Sequence, residues 1–445
     1  MGECGMSDLS TSSGAGQDPA AGHALGRPVD LLVLGAGSRG AGYAAITADV
    51  PDLGRVVGVA DPSPVRRQRF AEQHGLDPAR VFASWQDALA VPTFADLAIV
   101  ATQDADHVSP AIAAAEAGYH LLLEKPIAPT EAETRKVVAA VKATGVMFGV
   151  CHVLRYTPHT VQLKALLDDG AIGDVISIEH LEPVGWWHMA HSFVRGNWGN
   201  EERSSPMLLA KSCHDLDWLL HIVDRRCERV ASFGSLTHFT RAHQPEGAAD
   251  RCLECPVQIE SVCPYSAKRI YLTALKQNPG GWPVNVITDD QTESGVLAAL
   301  REGPYGKCVY ATDNDVVDHQ VVAMEFEGGV TVSFTMTGFT GSRSRNTRIF
   351  GSHGEITTDS GVITIEDFRN GEVRRIDTTA GTEGTIRSGH GGGDEGLMLA
   401  MLRAVQQGRR DLILSDADSS LESHLMVFTA EKARHRVTVE RVVLS

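Results

Sequence analysis

The sequence predicts an α/β protein. Its N-terminal part reads as a Rossmann-type, doubly wound parallel sheet, and the rest as an α+β domain with a large, mostly antiparallel open sheet. Three observations carry this. From residue 28, short apolar runs alternate with helix-like stretches. After Cys151 the runs change to apolar/polar alternation broken by glycine turns. The chain has 445 residues, enough for two or three domains at about 150 residues each.

Taken in order, residues 1–27 are rich in Gly, Ser and Ala and read as a disordered leader. They lack the basic and apolar regions of a secretory signal. Five apolar runs follow: VDLLVLGAG from Val29, GRVVGVAD to Asp61, DLAIVAT to Thr102, YHLLLEK to Lys125 and VMFGVCH to His152. Helical stretches near 40–50, 64–74, 107–117 and 130–144 separate them. Such alternation gives βαβ units and a sheet covered on both faces, here a first domain over 28–150. Residues 151–445 form the second domain. In it DHQVVAMEFEGGVTVSFTMTGF turns at Glu327-Gly328-Gly329, and GVITIEDFRNGEVRRID turns at Asn370-Gly371, both hairpin signals. Two helices, near 396–407 and 419–435, close the chain. Residues 240–308, rich in Gly, Pro and Cys, fit neither pattern and read as an insertion.

The balance of 40 Lys+Arg against 56 Asp+Glu gives a net charge of −16. A field of that sign disfavours nucleic acid and anionic membranes. No apolar run is long enough to span a bilayer. Most of the cysteines are scattered, which is cytoplasmic usage.

The first strand ends in Gly35, Gly37 and Gly40, spaced G-x-G-x-x-G, with Ser38 and Arg39 between. The motif follows a predicted strand and opens a helix, the context that dinucleotide binding requires. Gly35 permits the turn, Gly37 lets backbone approach a pyrophosphate, and Gly40 lets helix and sheet pack closely. Asp61, at the end of the second strand, is placed for the ribose hydroxyls and favours NAD over NADP. Arg66 and Arg67 follow closely and weaken that preference.

These motifs, with ATQDADHVSPAIAAAEAGYHLLLEKPIAPT and CHVLRYTP, resemble the glucose–fructose oxidoreductase / inositol dehydrogenase / MocA family. The resemblance runs over nearly the whole chain from residue 28 and is strongest to about residue 158. It implies an NAD-dependent enzyme acting on a sugar, cyclitol or sugar derivative, and a homo-oligomer built through the C-terminal sheet. The Glu124-Lys125-Pro126 tripeptide is its most specific mark. By this resemblance Lys125 lies by the nicotinamide and the reacting hydroxyl. Thr102, Gln103, His107, Glu124 and Arg155 fall around the same cofactor site, and Tyr156 beside it. Strand C-termini of an open α/β sheet point into the ligand crevice, so the role of Lys125 as proton acceptor is physically reasonable.

The family's second signature, Asp-x-x-x-His, meets SSPMLLAKSCHDLDWLLHIV. His214 takes the histidine position, but Ala210 stands where the Asp belongs. Lys211 and Asp215 share a helical face with His214 and are candidates to replace the lost polarity, Lys211 as a catalytic group and Asp215 on the substrate. The segment from Glu182 to Met207 carries Trp186, Trp187, His188, His191 and Arg195, a set suited to sugar rings and hydroxyls or to an anionic group. His390, before three glycines and Asp394, resembles a stretch found in NAD-dependent glycosidases of the family.

Cys252-x2-Cys255-x7-Cys263, with Cys308 as fourth ligand, suits a structural tetrahedral zinc ion. Free thiols and an iron–sulfur centre are the alternatives. For the chain as a whole, the first expectation is an NAD-dependent sugar or glycoside dehydrogenase. The second is a redox-neutral glycosidase that uses NAD without consuming it, on an anionic (carboxylated or sulfonated) sugar. A non-catalytic NAD or sugar sensor is the third.

Overall fold

The computed structural model describes residues 24–341, 344–379 and 390–444. Residues 1–23 of the expected leader therefore lie outside the described residues. Its last part is tied down: the Leu25 amide donates to the Gln406 carbonyl at 2.8 Å, and Arg27 pairs with Asp96 at 2.7 Å.

The first sheet has six strands: β1 (Val29–Leu34), β2 (Gly54–Ala60), β3 (Val81–Phe82), β4 (Leu97–Val100), β5 (His120–Leu123) and β6 (Phe148–Val150). All pairs are parallel, in the order β3-β2-β1-β4-β5-β6. Leu31 to Leu34 and Leu121 to Leu123 are fully buried, as unbroken apolar runs must be in a sheet covered on both faces. The order reverses between β1 and β4, the switch point at which such sheets bind ligands.

One layer over this sheet comes from far along the chain. Leu397, Met398, Met401 and Leu402 of the helix Gly393–Gln407 join Val29, Leu31 and Val33 in one core. The first sheet is thus completed by the other end of the sequence, which the local pattern did not foretell.

The second sheet has nine strands: β7 (Val175–Pro183), β8 (Cys227–Ser235), β9 (His319–Phe326), β10 (Thr331–Thr337), β11 (Asn346–Gly351), β12 (Gly354–Thr358), β13 (Val362–Asp367), β14 (Glu372–Asp377) and β15 (Val439–Arg441). Their order is β14-β13-β12-β11-β7-β10-β9-β8-β15, antiparallel except for the β7–β10 pair. The glycine turns join β9 to β10 and β13 to β14. Val322, Met324, Phe326, Val332, Phe334 and Met336 point into a core shared with the helices Cys213–Val223 and Ala417–Arg436. The opposite face is open to solvent and carries exposed Ile176, Phe233, Val321 and Val373.

The expected insertion is a helical lobe. Its helices Ala267–Gln277 and Glu293–Glu302 bury Ile270, Tyr271, Val296 and Leu300 in the core of the second sheet, so it has no separate core. An antiparallel bridge, Arg251 to Lys307, closes its base. Among the described residues no helix is long and apolar enough to cross a membrane.

Candidate active site

The glycine turn lies at the switch point. Gly35 has φ +104°, and a Cβ there would run into the Ala101 carbonyl. A Cβ on Gly40 would meet the Gly35 carbonyl oxygen, whereas a Cβ on Gly37 would enter open space. Gly35 and Gly40 are therefore demanded by packing, and Gly37 leaves room for a ligand. Gly37 caps the helix Ser38–Ile46, which has no acidic side chain in its first turn to neutralise its N-terminus. Ser38 is exposed there. Asp61 is buried, accepts from the Ala36 amide at 2.9 Å and pairs with Arg66 at 3.1 Å. An open glycine, a free helix N-terminus and a fixed carboxylate suit a dinucleotide: pyrophosphate over Gly37 and Ser38, ribose at Asp61.

Lys125 follows β5 directly, on a cis Lys125-Pro126 peptide. Glu124 before it is buried. Its Oε1 accepts from Arg39 Nε at 2.6 Å and from the Tyr43 hydroxyl at 2.8 Å, and its Oε2 accepts the Lys125 amide at 2.8 Å. Burial opposes ionisation of Glu124, but Arg39 and Lys125 outweigh it and hold the carboxyl below its usual range. Arg39 also reaches Asp394 at 2.7 Å, and the pull of His390 and Arg39 overcomes burial to bring Asp394 down to about 2. The glycine turn, the lysine loop and the helix Gly393–Gln407 are thus clasped by one arginine. His107 holds the same loop from behind, its Nδ1 2.7 Å from the Pro126 carbonyl and its Nε2 3.3 Å from that of Thr102. Thr102 donates to the Asp106 carbonyl, and Gln103 is exposed beside it.

The Lys125 ammonium donates to the backbone carbonyl of Ala210 at 2.8 Å and forms no ion pair among the described residues. Ala210 is the residue in the acidic position of the second signature, so its main chain, not a side chain, meets the lysine. His214 is buried, and its Nδ1 has no hydrogen-bond partner. Burial first, then Lys125 and His390, push it well below the ordinary histidine range, so it is neutral. The His390 ring stands 5.6 Å from it, on a half-exposed side chain held 3.4 Å from Asp394. Lys211 pairs with Glu182 at 3.1 Å. His188 is kept neutral by burial and by Lys211, and Trp187 packs beside it.

Several expected site residues have other partners. Arg155 is buried and bidentate to Asp217, at 2.7 Å twice, and donates to the Leu414 carbonyl, both partners lying in the second domain. The Tyr156 hydroxyl is spent on Ser415 at 2.9 Å. Asp215, fully buried, pairs with Arg345 at 2.5 Å and with His180 at 3.1 Å. His191 bonds the Tyr271 hydroxyl at 2.7 Å, Trp186 packs edge-on to Tyr265, and Arg195 turns to the inserted lobe; all three hold that lobe in place. The cysteines Cys252, Cys255, Cys263 and Cys308 are unpaired. Among the described residues no three of their sulfurs lie within 4.8 Å of one another, wider than one zinc shell.

Three contributors escaped the sequence reading. Arg345 bridges Glu182 at 2.8 Å and Asp215, and orders the wall behind Lys211. Trp282 of the lobe stands 5.0 Å from the rings of both Trp187 and His188. His152, fully buried, has both ring nitrogens without hydrogen bonds, 6.1 Å from the His214 ring. Arg345 and Trp282 sit in loops without a motif. His152 stood in the quoted CHVLRYTP run but was passed over for Arg155.

Residues 29–152 match the family described as oxidoreductase family, NAD-binding Rossmann fold. Residues 164–440 match its partner, the oxidoreductase family C-terminal alpha/beta domain. The chain is 24% identical over 344 residues to the putative oxidoreductase YteT of Bacillus subtilis, covering 74% of this chain and 77% of that one. It is 31% identical over 153 residues to the 2,7-anhydro-N-acetylneuraminate hydratase of Escherichia coli, covering 34% of this chain and 40% of that one. In fold it is similar to the WlbA dehydrogenase of Bordetella pertussis, solved with NADH and UDP-GlcNAcA, with TM-score 0.66, 17% identity and coverage of 94% and 99%. The glycine turn, the clasped Glu124-Lys125 loop and the paired domain matches place the chain in the glucose–fructose oxidoreductase / inositol dehydrogenase / MocA family of NAD-binding oxidoreductases.

Proposed function

We propose that this enzyme oxidises a ring hydroxyl of a sugar or glycoside, with Lys125 as the group that takes the hydroxyl proton. The observation that carries the reading is the lysine itself: at a strand end, beside the glycine turn, held only by a carbonyl and free of carboxylate pairing. NAD bound at the turn supplies the hydride acceptor. Lys125 binds and orients the hydroxyl and, once its ammonium has given a proton to solvent, accepts the hydroxyl proton as the C–H bond breaks. His214 fixes a second hydroxyl through its unpartnered nitrogen and can receive a proton, being neutral. His188, Trp187 and Trp282 form an aromatic wall on which a sugar ring can stack.

A second reading is supported by that neutral base, by the absence of the acidic side chain at position 210, and by similarity to a hydratase. In it oxidation is transient. A base removes the proton next to the new carbonyl, a substituent leaves, water adds, and the carbonyl is reduced again. The protein is then redox-neutral, and a carboxylated or sulfonated sugar is its candidate substrate. Incubation with NAD⁺ and a panel of neutral sugars, uronic acids and aryl glycosides separates the two. NADH that accumulates in step with sugar supports the dehydrogenase. Release of the aglycone that needs NAD⁺ but leaves no net NADH supports the redox-neutral course. Neither, with NAD bound, contradicts both and leaves the sensor.

The same reading has the chain self-associate through the open face of the nine-stranded sheet, supported by exposed Ile176, Phe233, Val321 and Val373. It places the activity in the cytoplasm, in keeping with unpaired cysteines such as Cys151, Cys213 and Cys227.

A further inference from the structure

A buried positive charge against the inserted lobe has no carboxylate to answer it among the described residues. Arg195 is only 4% exposed. Its Nε donates to the Lys307 carbonyl at 2.7 Å, and one terminal nitrogen donates to the Tyr265 carbonyl at 2.7 Å and to Cys252 Sγ at 3.5 Å. The other terminal nitrogen is buried without a partner. Among the described residues no Asp or Glu pairs with it, and buried charges are ordinarily paired. The groups around it that can carry negative charge are Cys252, Cys263, Cys308 and the Tyr271 hydroxyl.

Two of those cysteines, Cys252 and Cys308, are brought together by the backbone. The Cys252 amide donates to the Gly306 carbonyl at 2.9 Å, and the Cys308 amide to that of Asp250 at 2.8 Å, on either side of the Arg251–Lys307 bridge. Their sulfurs act as acceptors. Cys252 Sγ takes the Ala267 amide, at the first turn of the helix Ala267–Gln277, at 3.5 Å as well as Arg195. Cys308 Sγ accepts from the Gln244 side-chain amide at 3.9 Å. A neutral thiol is a weak acceptor. Cys252 Sγ thus faces a helix N-terminal amide and a guanidinium, donors suited to a metal-bound sulfur.

We propose that Cys252, Cys255, Cys263 and Cys308 bind a metal as thiolates, and that Arg195 is the buried countercharge of this centre. With one Zn²⁺, four thiols lose four protons and the centre carries two negative charges, which the guanidinium partly offsets. Tetrahedral Zn–S bonds of about 2.3 Å bring sulfurs to about 3.8 Å of one another. The present spacing is wider, so zinc draws the cysteines inward, whereas an iron–sulfur core holds them further apart. The shared chemistry is thiolate ligation. The loop bearing Trp186, Trp187 and His188 runs straight into Arg195, so the centre anchors the aromatic wall to the lobe.

The full chain, purified without chelator from cells supplied with zinc and iron, is analysed for both metals and for acid-labile sulfide. The expected result is one zinc per chain, or iron with matching sulfide. Cys255→Ser and Cys263→Ser each lower the bound metal at least about tenfold. Wild-type protein stripped by chelator and reloaded with Zn²⁺ alone loses four reactive thiols to a thiol reagent, and Co²⁺ in its place shows thiolate-to-metal charge-transfer absorption. The proposal is overturned by protein that carries no metal and protects no thiols on reloading. It is overturned equally by metal that survives both substitutions, or by a cobalt spectrum without thiolate bands. Those last outcomes place the ion on Glu201, Glu431 and His435, whose ligand atoms lie within 4.8 Å of one another.

Discussion

Lys125 gains its meaning from what surrounds it rather than from its own charge. A strand tip would ordinarily give a Lys–Glu pair worth at most about 1 kcal/mol. Here the carboxylate of Glu124 is taken by Arg39, Tyr43 and a backbone amide, which leaves the ammonium to a carbonyl. His214 is the second group at this scale. Its neutrality rests on burial beside Lys125 and His390, and a pKa depressed below 6.5 means the imidazole does not protonate as pH falls from 7 to 6. His214→Asn should lower kcat about 10²-fold or more, as loss of a positioned acid–base group does. Between pH 7 and 6 the wild type should show no inflection assignable to His214. Steady-state kinetics across that range checks both. Lys125 and His214 were legible because a spaced motif marks them. For Arg155, Tyr156, Asp215 and Arg195 the partners in the fold were not legible for one reason: residue type announces charge or polarity but not direction. Each has partners distant in sequence, Asp217, Ser415, Arg345 and Tyr265, that no local pattern supplies.

At the scale of elements, apolar runs and glycine turns foretold most strands, since period and turn chemistry are local properties. The β9–β10 and β13–β14 hairpins formed at Glu327-Gly328-Gly329 and Asn370-Gly371. What the local pattern could not supply was long-range packing. The helix Gly393–Gln407 covers the first sheet although it lies in the second half of the chain, and the inserted lobe has its apolar side in a neighbour's core. The glycine turn separates folding from binding in a testable way. A Cβ on Gly40 meets a carbonyl of the turn, while one on Gly37 meets nothing. Gly37→Ala should therefore fold with a stability loss of about 1 kcal/mol or less but bind NAD poorly. Gly40→Ala should lower the melting temperature itself. Calorimetry and NAD titration of both variants check this; equal damage to folding by both would show that Gly37 is a packing residue.

The whole molecule holds an unusual load of neutral, buried histidines. Burial lowers His159, His191 and His221 to about 4 and His424 to about 3, and drives His152, His188 and His214 lower than their ordinary range. Unfolded, each takes a proton near pH 6.5. The unfolded chain thus binds more protons below that value, and stability present above pH 6.5 is lost as pH falls toward the folded values. Each histidine contributes up to about 1.4 kcal/mol per pH unit. Glu124 and Asp394, with lowered values, add their own losses only below about 4.5. The urea midpoint should therefore drop steeply between pH 7 and 5, where carboxylates are still ionised; a flat midpoint there would contradict the buried neutral state. The central claim, that this fold serves hydride chemistry started at Lys125, is tested most directly by one variant with two readouts. Lys125→Met, compared with wild type on the sugar that gives the fastest NAD-dependent turnover, should bind NAD within a few-fold of wild type while turnover falls below detection. Turnover that survives the substitution would contradict the assignment.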